Sequence, residues 1–274
     1  MIPIKLGLVG KSLSHSLSPT VHSYLFEKLG ISGTYEKYEV SENEVSGIIP
    51  MMMKENILGL NVTIPYKETL FHLVDECDDH AKNIGAINTI KVKDGVSYGY
   101  NTDYLGVIQM FRSANVPLQG KDIVILGSGG STKALIYAFH LEDADTITVA
   151  ARNPESSQAL KQQFPYIETR NLRELIDKPH KGDILINTTP VGMFPNVDES
   201  PVPENTLTNF KVAGDIVYNP LMTKFLTLAE KHNLKAVTGL SMLINQAIAA
   251  EEIWLSRNID YEIGEEIENS LKQE

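Results

Sequence analysis

Short apolar runs ended by glycine or polar turns alternate with segments whose apolar residues recur every three to four positions, and this rhythm continues along most of the chain. Residues 5–9 read as a buried strand that Gly10 ends. Pro19 suits a first helical position, with Ser18 as N-cap, and Val21, Tyr24, Leu25 and Leu29 then share a helical face until Gly30. A second strand is predicted over 34–40. Ser41-Glu42-Asn43-Glu44 follows as a capping box that opens a helix toward Lys54, with Met51, Met52 and Met53 as gap-filling core and helix surface. A third strand over 58–64 runs into Asn61-Val62-Thr63-Ile64-Pro65-Tyr66-Lys67. Beyond a helical segment around 70–74, Asp94-Gly95 is a two-residue hairpin signal, and residues 104–114 form a helix that leaves this half.

The second half begins with a strand over 121–126, the turn Gly127-Ser128-Gly129-Gly130 and a helix from near Ser131 on which Ala134, Leu135, Ala138 and Leu141 repeat. Strands at 146–150, 183–187, 212–216 and 234–237 follow, with helices between, the rhythm of a doubly wound parallel sheet. The fold expected is α/β with two domains and a cleft between them. The N-terminal α/β domain takes residues 1–103 plus 240–274, and a Rossmann-type dinucleotide-binding domain takes 104–239. An apolar helix opens after Gly239-Leu240-Ser241-Met242, and residues 262–274 read as a solvated helix that frays.

Charge narrows the function. Lys plus Arg is 24 against 35 Asp plus Glu, a net charge of −11. No basic cluster offers a footprint for nucleic acid or an anionic membrane, so an anionic ligand must be held locally. Cys77 is the only cysteine, which excludes an internal disulfide and a cysteine-based metal site; no metal is expected. With no basic leader and no membrane-length apolar run, a cytoplasmic protein is expected.

The chemistry concentrates at strand ends. Gly127 suits the tight turn, Gly129 a close backbone approach to pyrophosphate, and the helix from Ser131 aims its N–H groups at that phosphate. Thr132 departs from the small third residue of the pattern and is expected to loosen the helix packing. No acid stands at the end of the following strand, where an NAD-specific site would have one. Ala151-Arg152-Asn153 stands there instead, and Arg152 suits the 2′-phosphate of NADP, with NAD as the alternative. Thr188, in the turn 187–193, is placed to line the nicotinamide. Ser16, Ser18, Thr63, Lys67, Asn88, Asp103 and Gln246 comprise uncharged polar groups, one cation and one carboxylate, which suits a polyhydroxylated anion. Lys67 and Asp103 would be the working pair. Gln246, on an apolar helix face, is either a paired core amide or a ligand contact.

Taken together, His15-Ser16-Leu17-Ser18-Pro19, the Asn61-to-Lys67 stretch, Gly85-Ala86-Ile87-Asn88-Thr89, Asn101-Thr102-Asp103 and Gly127-Ser128-Gly129-Gly130 resemble the ordered motifs of the shikimate/quinate dehydrogenase family. The resemblance covers nearly the whole length. It implies reversible NADPH-dependent reduction of 3-dehydroshikimate to shikimate in aromatic amino acid biosynthesis, with Lys67 and Asp103 catalytic. It further implies Ser16 and Ser18 at the substrate carboxylate, Thr63, Asn88, Tyr218 and Gln246 at the substrate, and Gly239 beside the cofactor. Tyr104 and Ser241 depart from the family pattern and add bulk beside the expected pocket, bearing on shikimate versus quinate. Which of Lys67 and Asp103 accepts the proton stays open. The rival readings are an NAD-linked quinate/shikimate dehydrogenase and a non-catalytic metabolite-binding relative. A monomer or homodimer acting on a small molecule is expected.

Overall fold

Thirteen elements of the computed structural model, which describes residues 3–178 and 180–273, build a first unit from Met1–Gly106 and Ile244–Glu274. They begin with β1 (Ile4–Gly10), α1 (Ser18–Leu29), β2 (Gly33–Glu39), α2 (Ile48–Glu55), β3 (Gly59–Val62) and α3 (Lys67–Phe71). Then come β4 (Glu76–Cys77), α4 (Asp79–Ile84), β5 (Thr89–Lys93), β6 (Val96–Tyr100) and α5 (Asp103–Ser113), whose first turn belongs to this unit. The sheet runs β2-β1-β3-β5-β6-β4. β1 pairs in parallel with β2 and β3, whereas β5 is antiparallel to β3 and β6. Asp94 and Gly95 both take positive φ, as the short β5–β6 hairpin requires.

The sequence pattern explains the layering. All four residues of β3 are buried, so it reads as a continuous apolar strand with one polar exception, Asn61. Leu60, Val62, Ile90, Tyr66 and Leu70 close one face with Met52. Full burial of such a side chain contributes about 1.5–3 kcal/mol. Gly59 has no side chain because Trp254 occupies the place a Cβ would need, and the indole Nε1 donates to the Ile90 carbonyl at 2.9 Å.

The second unit, Val107–Leu243, contains the rest of α5 and then β7 (Asp122–Leu126), α6 (Gly130–Leu141), β8 (Thr146–Ala151), α7 (Pro154–Gln163), β9 (Glu168–Asn171) and α8 (Leu172–Asp177). It continues through β10 (Ile184–Asn187), α9 (Glu204–Leu207), β11 (Val212–Asp215), α10 (Lys224–Lys231), β12 (Lys235–Val237) and the start of α11 (Leu240–Leu255). Its sheet is parallel throughout, in the order β12-β11-β10-β7-β8-β9. Two three-strand halves diverge from β7 and β10, the doubly wound arrangement whose switch point binds ligands. Residues 168–171, too polar to read as a strand, form its edge at β9.

Helix α12 (Glu262–Leu271) closes the first unit. Most of the acidic segment docks rather than fraying: Ile267 is buried, and Glu266 meets Lys28 of α1 at 2.6 Å. Glu274 lies outside the described residues. The capping box forms halfway, with Glu44 accepting from Ser41 N at 2.9 Å. A 3₁₀ turn (Val45–Gly47) then intervenes before α2.

Candidate active site

The polar end of β3 delivers Lys67 to the first residue of α3, and α5 starts at Asp103. Lys67 Nζ stands 2.5 Å from Asp103 Oδ2, with side chains only 13% and 7% exposed. The other carboxylate oxygen, Oδ1, accepts from Asn88 Nδ2 at 2.8 Å. That amide also donates to Thr102 Oγ1 at 2.9 Å and Gln246 Oε1 at 3.2 Å. Asn88 Oδ1 in turn accepts from Thr102 N at 2.7 Å. A buried amide thus orients the carboxylate toward the ammonium, a restraint that cuts the entropy lost when a reacting group is bound. Gln246, 8% exposed, belongs to this network.

Thr63 sits half-buried just before, with its N–H on the Val9 carbonyl at 2.9 Å and its own carbonyl accepting from Tyr66 N at 3.0 Å. Gly10 makes the approach feasible, since a Cβ there would lie 2.6 Å from Thr63 Cγ2. Ser16 and Ser18 meet in the turn before α1, Oγ to Oγ 3.2 Å. The expected cap is corrected: Leu17 is the N-cap, Ser18 is the first helical residue, and the Ser16 oxygen accepts the Ser18 N–H at 3.2 Å. Ser18 is thereby free of a capping role. The Tyr104 ring stacks on His80 of α4 at 4.7 Å, which directs its bulk toward that helix.

In the second unit the glycine loop has the form its spacing predicts. Gly127 takes φ +114°, and a Cβ there would lie 2.7 Å from Thr188 Oγ1. Gly129 and Gly130 face open space, where a backbone-hugging phosphate would lie, and α6 begins at Gly130, a residue before Ser131. Thr132 tightens rather than loosens the packing. It is fully buried, and its Oγ1 is 2.9 Å from Thr188 Oγ1, which donates to the Leu126 carbonyl at 2.8 Å. Ser128 Oγ lies 2.6 Å from Ser156 Oγ of α7. Arg152 is exposed at the end of β8, and among the described residues none pairs with its guanidinium. Asn153 is occupied as the N-cap of α7.

Asp215, at the end of β11, is fully buried. It accepts from Asn187 Nδ2 and Val217 N, both at 3.0 Å, and from Thr223 Oγ1 at 2.7 Å. Burial pushes its carboxyl up to about 7 despite these three donors. These bonds tie both ends of the segment that carries half-buried Tyr218. Gly239 lets the chain into α11 pass the β11 end, for a Cβ would lie 2.5 Å from the Ile216 carbonyl oxygen.

Lys67, Asp103, Asn88 and Gln246 therefore converge, and Ser16 with Ser18 form a second group in the same unit. Tyr218, Arg152, Thr188, Gly239 and the glycine loop belong to the other unit. Sequence reasoning missed Asp215 and the buried pair His22 and Glu251, whose side chains are 0% exposed. The available signal was an ionisable residue interrupting an otherwise apolar helical face, on α1 and on α11.

A parallel doubly wound sheet with a glycine turn at the first strand–helix junction defines a dinucleotide-binding α/β protein. The match to known proteins is closer than that class. A model of the shikimate dehydrogenase substrate binding domain matches residues 8–90, and one of shikimate / quinate 5-dehydrogenase matches 110–193. The NADP(+) shikimate dehydrogenase of Clostridium perfringens strain SM101 is 41% identical over 266 residues, 97% of each chain. The crystal structure of shikimate dehydrogenase 1 from Peptoclostridium difficile superposes with a TM-score of 0.92 at 40% identity, covering 98% of both chains. That of the Thermus thermophilus enzyme, in complex with NADP(H) and shikimate, gives 0.87 at 30% identity, covering 96% of this chain and 98% of the other. The chain belongs to the shikimate dehydrogenase family.

Proposed function

We propose that the chain catalyses reversible NADPH-dependent reduction of 3-dehydroshikimate to shikimate, a step toward chorismate and the aromatic amino acids. The 2.5 Å Lys67–Asp103 pair, held from behind by Asn88, carries this reading. Open space at Gly129 and Gly130 and the exposed Arg152 guanidinium fit a dinucleotide with a 2′-phosphate. Gly127, Ser128, Gly129, Gly130 and Ser131 would hold the pyrophosphate, Arg152 the 2′-phosphate, and Thr188 and Gly239 would flank the nicotinamide. When bound, NADP supplies the hydride acceptor or donor.

The substrate carboxylate is assigned to Ser16 and Ser18, and the ring and its hydroxyls to Thr63, Asn88, Tyr218 and Gln246. In the oxidative direction the C–H electron pair leaves as hydride while the hydroxyl proton passes to the Lys67–Asp103 pair. One proton exchanged between two groups 2.5 Å apart is a property of the pair. Reduction returns the proton to the carbonyl oxygen. Among the described residues no helix is long and apolar enough to cross a membrane. A cytoplasmic monomer or homodimer completes the reading.

Lys67→Ala and Asp103→Ala are each expected to cut turnover by about a hundredfold or more, the range for a positioned acid–base group, with a modest loss of shikimate affinity. Steady-state kinetics measure both. Turnover near wild type in either variant overturns the assignment.

A further inference from the structure

His22 and Glu251 form a side-chain pair with no solvent exposure, His22 Nδ1 lying 2.7 Å from Glu251 Oε1. On its other side, His22 Nε2 lies 3.1 Å from Asn61 Oδ1, which also accepts from the Tyr35 hydroxyl at 2.7 Å. The Asn61 orientation follows from its opposite end, where Nδ2 donates to the Asn88 carbonyl at 3.3 Å and Thr89 Oγ1 at 3.2 Å. Asn61 Oδ1 is therefore an acceptor, and His22 Nε2 carries a proton. The 2.7 Å contact between Nδ1 and Glu251 gives each buried ionisable group a partner.

Asn61 is braced on one side and sends an arm to the site on the other. Tyr35 stacks on His22 with ring centroids 4.0 Å apart. Burial raises its hydroxyl well above the usual phenol range and the Glu251 carboxylate adds to this. Tyr35 thus braces Asn61 from the His22 side. Thr89 donates to Asn88 Oδ1 at 3.0 Å, and Asn88 holds Asp103. That arm ends at the proton-transfer pair.

We propose that the His22–Glu251 pair is a positioning device for the substrate pocket. By locking Asn61, with Tyr35 bracing it, the pair sets the Thr89–Asn88–Asp103 arm, which governs the chemical step. This rests on the functional reading above. Neither His22 nor Glu251 touches substrate; both act through Asn61.

Near-isosteric variants of the full chain test the arm. With one hydrogen bond's effect taken as about fivefold, Tyr35→Phe, which removes one donor to Asn61, is expected to lower kcat by about fivefold with the shikimate KM within about twofold of wild type. Thr89→Val is expected to lower kcat by about fivefold with little change in KM. Glu251→Ala lowers kcat, and Glu251→Gln restores it, because its amide donates to Nδ1 while Nε2 still donates to Asn61. The proposal is overturned if Tyr35→Phe or Thr89→Val raises KM and leaves kcat unchanged, or if Glu251→Ala keeps wild-type constants. It is also overturned if Glu251→Gln is as impaired as Glu251→Ala. Exchange of the Asn61 side-chain amide protons gives a readout independent of turnover. Protection in wild type that Glu251→Ala abolishes supports the device, and equal protection in both overturns it. A wild type that protects Asn61 but turns over no shikimate defeats the functional reading alone.

Discussion

Asp215 makes the stability of the second unit depend on pH in a direction opposite to most carboxylates. Folded, it holds its proton to about pH 7 because it is buried; unfolded, an aspartate releases it near ~4. Between those values the folded state binds more protons, so stability falls as pH rises through the window and levels off above it. Each pH unit is worth about 1.4 kcal/mol, so the whole window amounts to about 4 kcal/mol. Asp215→Asn mimics the protonated side chain. The variant still accepts from Asn187 and Val217, and its amide donates to Thr223, which turns its hydroxyl to suit. Thermal unfolding of wild type and variant, followed together from pH 4 to pH 8, cancels every other titrating group. The two are expected to be closely matched near pH 4 and the variant to be more stable above pH 7, by on the order of 10 °C at about 3 °C per kcal/mol. A difference in melting temperature that stays constant across the range would refute the reasoning.

Arg152→Gln is expected to weaken NADP binding by about tenfold or more, the effect of losing a charge-assisted contact, while leaving NAD binding unchanged; titration calorimetry with each dinucleotide checks this. Gly127→Ala places a methyl group against Thr188 at φ +114°, so it should cost about 1–3 kcal/mol in urea unfolding and impair dinucleotide binding more than shikimate binding. Gly59→Ala drives a Cβ into the Trp254 indole and should destabilise by about 1–3 kcal/mol through overpacking, read from the denaturant midpoint.

The fold was legible because its strands announce themselves. The 122–126 and 184–187 runs are apolar, end in polar or glycine turns, and pair in register within one parallel sheet. Strands without that signature were not legible: β9 is polar because it is an edge, and β4 has only two residues. At the proposed site, Lys67 and Asp103 could be singled out because each stands at the end of an apolar run in a polar turn. Their hydrogen bond, and the convergence of Asn88 and Gln246, depend on register 15 to 158 residues apart. Periodicity is silent at that separation. Ser18 was misread as a cap because its position beside Pro19 has a local explanation that the backbone does not adopt. Thr132 was misread because it stands where the glycine pattern has a small residue, and the partner that accommodates it, Thr188, lies 56 residues away.

Incubation of the purified chain with shikimate or quinate, each with NADP+ or NAD+, followed by nicotinamide absorbance, tests the central claim most directly. The account predicts rapid reduction of NADP+ with shikimate, at a higher kcat/KM than in any other mixture, and its loss in Lys67→Ala. No reduction in any of the four mixtures, with shikimate still bound, would contradict it and leave a metabolite-binding protein.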